Sequence, residues 1–301
     1  MKLNMPVGKV QPDPYVLKEG NRYYMYATHK EGVQLYVSEN RADWSYVGFC
    51  FRRTGFMEFW APAVIRLDGK YYLYVSCMPE GAQSEHSQRL VAAEAAAPAG
   101  PFSFRSEIAD AFSIDAHAVE SGGGLFLFYS VNDYEAARPG TLIVVDRMRS
   151  PVQAYGSPKV VVRPTLDEDI FMRSRFEKGK DWHTVEGACY FRKGDWHYLT
   201  YSGNCYKSEY YYIGYARAHS AESDLTKLDF RKYPADDAYA PLLCKNALEN
   251  GTGHNSILEE DGRYFLFYHG RDGGENGERE NRTARICEIS AEDGVLKVIA
   301  R

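Results

Sequence analysis

The chain of 301 residues holds no Cys-x-x-Cys pair among its six cysteines, Cys50, Cys77, Cys189, Cys205, Cys244 and Cys287. Most of them sit inside strand-like apolar runs such as ACYF and RICEI. Neither a zinc site nor a disulfide framework is encoded by that spacing, and reduced, buried thiols are expected. No run of about eighteen apolar residues occurs, which removes a membrane-spanning helix. The opening segment MKLNMPVGKVQPDPYV lacks an apolar stretch of leader length, which points to a soluble cytoplasmic protein. Basic residues nowhere cluster among aromatics and the net charge is −5, so there is no positive field for nucleic acid. Amphipathic helical periodicity is equally scarce, and short apolar runs bounded by Gly, Asp, Asn and Pro leave an all-β chain. The one alanine-rich piece, residues 91–102, is interrupted by Pro98 and Pro101 and reads as a strand that becomes a turn.

What the chain has in surplus is tyrosine, 24 copies beside 15 Phe and 4 Trp, rings that suit both strand packing and sugar surfaces. These rings recur in five signatures that each follow a glycine: GNRYYMYAT (20–28), GKYYLYVS (69–76), GGLFLFYS (123–130), GDWHYLTYS (194–202) and GRYFLFYH (262–269). Repeats at such spacing belong to propeller blades of about four strands each. The expected fold is therefore a five-bladed β-propeller, with residues 1–301 forming a single catalytic domain. Less regular segments at 79–90, 163–183, 203–210 and 270–282 are expected at the rims, where ligands approach. Residues 163–183 contain no clear strand and suggest a flap or a solvated loop.

Ahead of each signature lies one further strand candidate, and residues at an equivalent place in these strands converge on the mouth of the central channel. Fifteen positions before the end of four signatures, and sixteen before the end of the fourth, stand Asp13, Ala61, Asp115, Glu186 and His254. Four of the five are ionisable, which packing alone does not require. Singly each has a plain explanation: Asp13 before Pro14 can initiate a turn, Asp115 can cap a loop, and Glu186 can be a rim charge. Their common offset argues against three independent accidents. Two carboxylates across a pocket can cleave a glycosidic bond, one as acid and one as base, and a third can raise the acid's pKa.

The motifs DPYV, FWAPAV, SIDAHAV, TVEGACYF and GTGHNS, spread over essentially the whole chain, resemble glycoside hydrolase family 43, five-bladed propellers acting on arabinose- and xylose-containing saccharides. The resemblance implies an inverting mechanism with Asp13 as general base, Glu186 as general acid and Asp115 as the residue that tunes it. It implies sugar contacts from Trp60 and from Arg282, the latter able to bridge hydroxyls and a carboxylate such as Asp115; Arg285 is the competing arginine. His254 matches a channel histidine that often contacts a hydrated calcium or other cation, which would support structure, since no cofactor is required for the chemistry. Ala63 stands where the family more often has Glu, a departure that bears on the metal environment or a subsite. His117, two residues after Asp115, is expected in the core.

The expected activity is an exo-glycosidase removing terminal α-L-arabinofuranosyl units from small plant-derived oligosaccharides. The rivals are a β-xylosidase of the same family and, from another class, a carbohydrate-binding propeller without turnover. A five-bladed enzyme acting on fructosides or with phosphate is disfavoured, because the RDP signature and a basic phosphate site are both missing. The expected partner is an oligosaccharide, with neither nucleic acid nor membrane; the sequence leaves the oligomeric state open.

Overall fold

Turns at Gly, Asp and Asn fold the chain into five successive antiparallel meanders, described over residues 1–300 in a computed structural model. Blade one comprises Tyr15–Glu19, Arg22–Ala27, Val33–Ser38 and Ser45–Phe51, and blade two comprises Phe56–Leu67, Lys70–Pro79, Arg89–Ala95 and Ser103–Glu107. Blade three runs through Ile114–Ser121, Gly124–Asp133 and Gly140–Ser150, with Gln153–Ala154 and Lys159–Val162 both pairing its third strand. Blade four comprises Lys180–Lys193, Trp196–Gly203, Tyr212–His219 and Arg231–Lys232. Blade five comprises Glu249–Glu260, Arg263–Asp272, Thr283–Glu292 and Val295–Ala300. A short parallel pairing of Gly140 and Thr141 with His183 and Thr184 joins blades three and four into one continuous sheet. The first strands of the five blades touch one another in a closed ring, one to two, two to three, three to four, four to five and five to one.

The five signatures form the second strands, and their sequence follows from their place. Successive side chains point to opposite faces, and in a propeller each face packs against a different neighbour. Leu73 of blade two faces blade one, while the adjacent Tyr74 faces blade three. Leu199 and Tyr198 divide in the same way between blades three and five, and Phe267 and Leu266 between blades one and four. Five apolar clusters result, one at each blade interface, so the second strands are apolar throughout rather than alternating. The N-terminal residues close the ring: Ile286 N–H donates to the Met1 carbonyl at 2.9 Å, and Trp44 N–H donates to the Asn4 carbonyl at 2.9 Å.

The alanine-rich piece is a strand to Ala95 followed by a turn, as expected. All six cysteines are free thiols, four of them buried. The expectation for residues 163–183 is corrected. Ile170–Glu177 is a strand that forms a hairpin with the start of Lys180–Lys193. Most of its residues are exposed or half-buried, so neither face shows the apolar alternation by which a strand is recognised.

Candidate active site

Each first strand carries a one-residue bulge where it enters the channel mouth. Three positions of the first strand face two of the second at Pro12–Tyr15, Trp60–Ala63, Ile114–His117, Glu186–Cys189 and Gly253–Ser256. The bulged residue takes a left-handed backbone in all five: Asp13 (φ 54), Ala61 (φ 49), Asp115 (φ 60), Gly187 (φ 64) and His254 (φ 45). Such bulges re-aim side chains beside functional sites. The fivefold equivalence therefore differs by one residue from the sequence expectation in blade four. Gly187 takes the equivalent place, where a Cβ would come 3.1 Å from Nδ1 of His254. Glu186 stands one position earlier, in register with Trp60.

The hollow above these bulges has a volume of about 560 Å³, and Asp13, Trp60, Asp115, Glu186, His254 and Arg282 all line it. Each of the four segments expected at the rims contributes to its wall, through His86, Arg175, Tyr206 and Glu280 among others. Ala63 lies away from it, buried in blade two opposite Tyr74. His117 is a core residue, its Nε2 3.2 Å from the Tyr190 carbonyl and its pKa pushed down to about 4 by burial. Arg285 is buried outside the hollow beside Glu249 and Asp272.

Asp13 is held from three sides. Thr28 Oγ1 donates to its Oδ2 at 2.6 Å, Nη1 of Arg282 donates to its Oδ1 at 3.2 Å, and Nδ1 of His254 lies 3.6 Å from the same oxygen. Burial opposes ionisation, but the charge of Arg282 outweighs it and holds this carboxyl well below the usual carboxylate range. The arginine thus pairs with Asp13 rather than with Asp115, because blade five closes the ring against blade one. Glu280 fixes the other side of the guanidinium, accepting from Nη2 at 2.6 Å, and the Tyr206 ring lies 4.7 Å from it.

Glu186 is placed oppositely. Burial pushes it up to about 7; the hydroxyl of Tyr211, donating to its Oε1 at 2.9 Å, works against this, and the Asp13 charge adds to it. Asp115 is raised well above the usual range by burial and then by Glu186 and Asp13. Its Oδ2 accepts the Gly187 N–H at 3.1 Å, which ties it to the backbone next to Glu186. Two buried acids that repel each other share a proton into the neutral range. The site so contains one carboxylate that stays ionised and one carboxyl that stays protonated, the division of labour acid–base cleavage needs.

Trp60 borders the hollow with its indole N–H donating to Glu58 at 2.9 Å, which fixes the ring's orientation. His254 is half-buried with its pKa lowered by desolvation, and Nδ1 lies 4.0 Å from Asp115 as well as near Asp13. Among the described residues no group of three or more His, Cys, Asp or Glu is arranged to hold a metal ion. A hard cation takes six to eight oxygen ligands, whereas the carboxylate nearest His254 is already engaged by Arg282 and Thr28. The residues present do not fit a directly coordinated cation.

Sequence reasoning missed Tyr211, His269, Thr28 and Glu280. Thr28 and His269 had a signal: the five signatures end in Thr28, Ser76, Ser130, Ser202 and His269, four hydroxyls and one imidazole, each paired across the sheet with the residue just before the bulge. Tyr211 had none, since it reaches Glu186 only by packing against Gly253, which leaves blade five without a side chain in that register.

Residues 3–296 match the family described as glycosyl hydrolases family 43. The chain is 24% identical over 294 residues to an extracellular exo-α-(1→5)-L-arabinofuranosidase of Streptomyces avermitilis, covering 89% of this chain and 56% of that protein. It thus spans little more than half the length of that curated relative. A solved thermostable family-43 glycoside hydrolase superposes with a TM-score of 0.80 at 28% identity, over 99% of this chain and 96% of that one. An endo-1,4-β-xylanase from Bacteroides thetaiotaomicron superposes with a TM-score of 0.78 at 24% identity, over 97% and 94% of the two chains. The extracellular relative overturns the expectation of a cytoplasmic location. That expectation rested on the missing apolar leader, and a leader is removed from a mature chain, so its absence measures nothing about location.

Proposed function

The chain belongs to glycosyl hydrolases family 43, and from that premise we propose that it is an inverting exo-glycosidase that releases terminal α-L-arabinofuranosyl residues from oligosaccharides. The observation that carries this reading is the opposed ionisation of Asp13 and Glu186 in one sugar-sized hollow. Asp13 accepts a proton from a water molecule as its oxygen attacks the anomeric carbon. The bond from that carbon to the leaving oxygen breaks, and Glu186 delivers its proton to that oxygen. One water is consumed, and the next turnover needs the proton on Asp13 returned to solvent and Glu186 reprotonated. Asp115 orients the Glu186 backbone through Gly187 and shares its proton load, Trp60 offers an aromatic face, and Arg282 keeps Asp13 ionised while presenting donors to the sugar.

The preference for arabinofuranosides is supported by the name of the Streptomyces relative, an arabinofuranosidase. A β-xylosidase is the second reading, favoured by the xylanase among the structural neighbours and by the similar hydroxyl arrangement of the two pentoses. Turnover of nitrophenyl α-L-arabinofuranoside at least tenfold faster than of nitrophenyl β-D-xyloside supports the first; the reverse order assigns the second, and turnover of neither rejects both.

A further inference from the structure

One wall of the hollow is built from aromatic rings that the acid–base chemistry does not use. Phe112, at the entry to blade three, and Phe171, on the hairpin before blade four, both line it, as does His86 from the segment between Lys70–Pro79 and Arg89–Ala95. The imidazole of His86 lies 5.4 Å from Phe112, 5.6 Å from Phe176 and 6.1 Å from Trp182, so the rings form one connected group. Phe176 is 60% exposed, a large apolar side chain left to solvent beside His86. Arg175 rises out of this group, its guanidinium 4.7 Å from the Phe171 ring, 5.1 Å from Phe176 and 5.7 Å from Trp182.

Two further facts give the wall a direction. Phe171 and Arg175 sit on the strand Ile170–Glu177, which pairs with Lys180–Lys193, the strand that carries Glu186, so the aromatic group lies on the side of the hollow from which Glu186 enters. Asp13, Arg282 and Glu280 form another side, where blade five meets blade one. His86 is also fixed. The Asn132 amide lies 2.8 Å from Nδ1, and the Tyr134 hydroxyl is also 2.8 Å away. An amide nitrogen can only donate, which leaves the ring proton on Nε2 and a neutral imidazole, in keeping with a pKa lowered by burial and by Arg175.

We propose that Phe112, Phe171, His86 and Arg175 form the subsite for the leaving-group sugar, a neutral ring that lays its apolar C–H face on the aromatics and its hydroxyls against Arg175 and the His86 ring. This inference rests on Glu186 being the acid: the group that protonates the leaving oxygen must touch it, so the leaving sugar occupies the Glu186 side. Amphipathic rings suit a ligand with one apolar face and a polar edge, and a guanidinium lodged among three rings keeps its fork of donors near neighbouring hydroxyls. The four residues come from three separate insertions, so this wall sets which leaving group the enzyme accepts without altering the base.

The test compares a substrate that fills the subsite with one that cannot. Wild type, Phe112→Ala and Phe171→Ala are assayed on α-1,5-linked arabinotriose and on α-L-arabinofuranosyl fluoride, whose leaving group is a single atom. The subsite predicts that each variant lowers kcat/KM on the trisaccharide at least tenfold more than on the fluoride. Equal losses on both substrates by Phe171→Ala, or no loss on the trisaccharide, overturn it. If Phe112→Ala fails to fold, shown by loss of its melting transition, Phe171→Ala on the hairpin decides alone. A wild type that hydrolyses neither substrate rejects the parent reading and the subsite with it, an outcome distinct from turnover of both with equal losses.

Discussion

The backbone N–H of Asp13 donates to Nδ1 of His269 across the closure between blades five and one, at 3.1 Å. Two other interfaces repeat the contact with a hydroxyl: Ala61 N–H donates to Thr28 at 2.7 Å and His254 N–H to Ser202 at 2.7 Å. His269 is therefore the blade-five version of a device that holds three of the five left-handed bulges. Because Nδ1 accepts, the ring proton sits on Nε2, a buried atom without a partner among the described residues.

His269 should consequently act as a positioning residue for the proposed base. His269→Asn, whose side-chain oxygen can take the place of Nδ1, should keep most of kcat. His269→Gln, which mimics the Nε2 position, and His269→Ala should lose about tenfold or more in kcat with little change in KM, since small displacements of a reacting group are costly. Equal losses in all three variants would mean that His269 only fills space.

The pH profile carries the signature of Glu186. With its carboxyl pushed up to about 7, the rate should fall as the pH rises through that value, because the acid loses its proton. The carboxyl of Asp13, held well below the usual range, should give no falling limb near pH 4. Glu186→Gln should cost about 10²- to 10⁴-fold in turnover of unactivated oligosaccharides and abolish the alkaline limb in whatever rate remains. A limb that persists in Glu186→Gln would assign the titration to another group.

The same shift bears on stability. A carboxyl raised from 4.5 to about 7 on folding makes the native state progressively less stable as the pH climbs from 4.5 through 7, because the unfolded chain gives up its proton first. Above pH 8 the buried charge costs about 3 kcal/mol relative to a group with no shift. Glu186→Gln should therefore raise the melting temperature at pH 9 and change it little at pH 4, as thermal unfolding at the two pH values would reveal.

Beneath the hairpin lies the buried pair of Lys232 and Asp169, 3.1 Å apart, with Tyr212 donating to the carboxylate at 2.6 Å. Asp169 also accepts the N–H groups of Thr165 and Leu166, which pins the start of the segment carrying Phe171 and Arg175. Lys232→Met should destabilise the fold by about 3–5 kcal/mol by leaving that carboxylate unpaired. Adding Asp169→Leu should recover a substantial part of the loss. Urea unfolding of the two variants measures both.

The propeller was legible because each second strand must be apolar on two faces at once, a demand that writes the same aromatic run five times. The convergence of Asp13, Asp115 and His254 was legible from their shared offset, since fivefold repetition converts distance along the chain into angle around an axis. In blade four the shared offset of fifteen falls on Gly187, the bulge residue beside His254, and the count of sixteen that reached Glu186 departed from it by one. Partners across the ring closure were hidden: Arg282 meets Asp13, 269 positions away, only because blade five returns to blade one. The hairpin Ile170–Glu177 was hidden for the opposite reason, being a strand with no buried face to impose a pattern.

The claim on which the mechanism depends is that Asp13 activates water on the face of the sugar opposite the leaving group protonated by Glu186. Proton NMR of the first sugar released from an α-L-arabinofuranosyl oligosaccharide tests this directly. The account predicts that β-L-arabinofuranose appears first and mutarotates later; initial release of the α-anomer would contradict it.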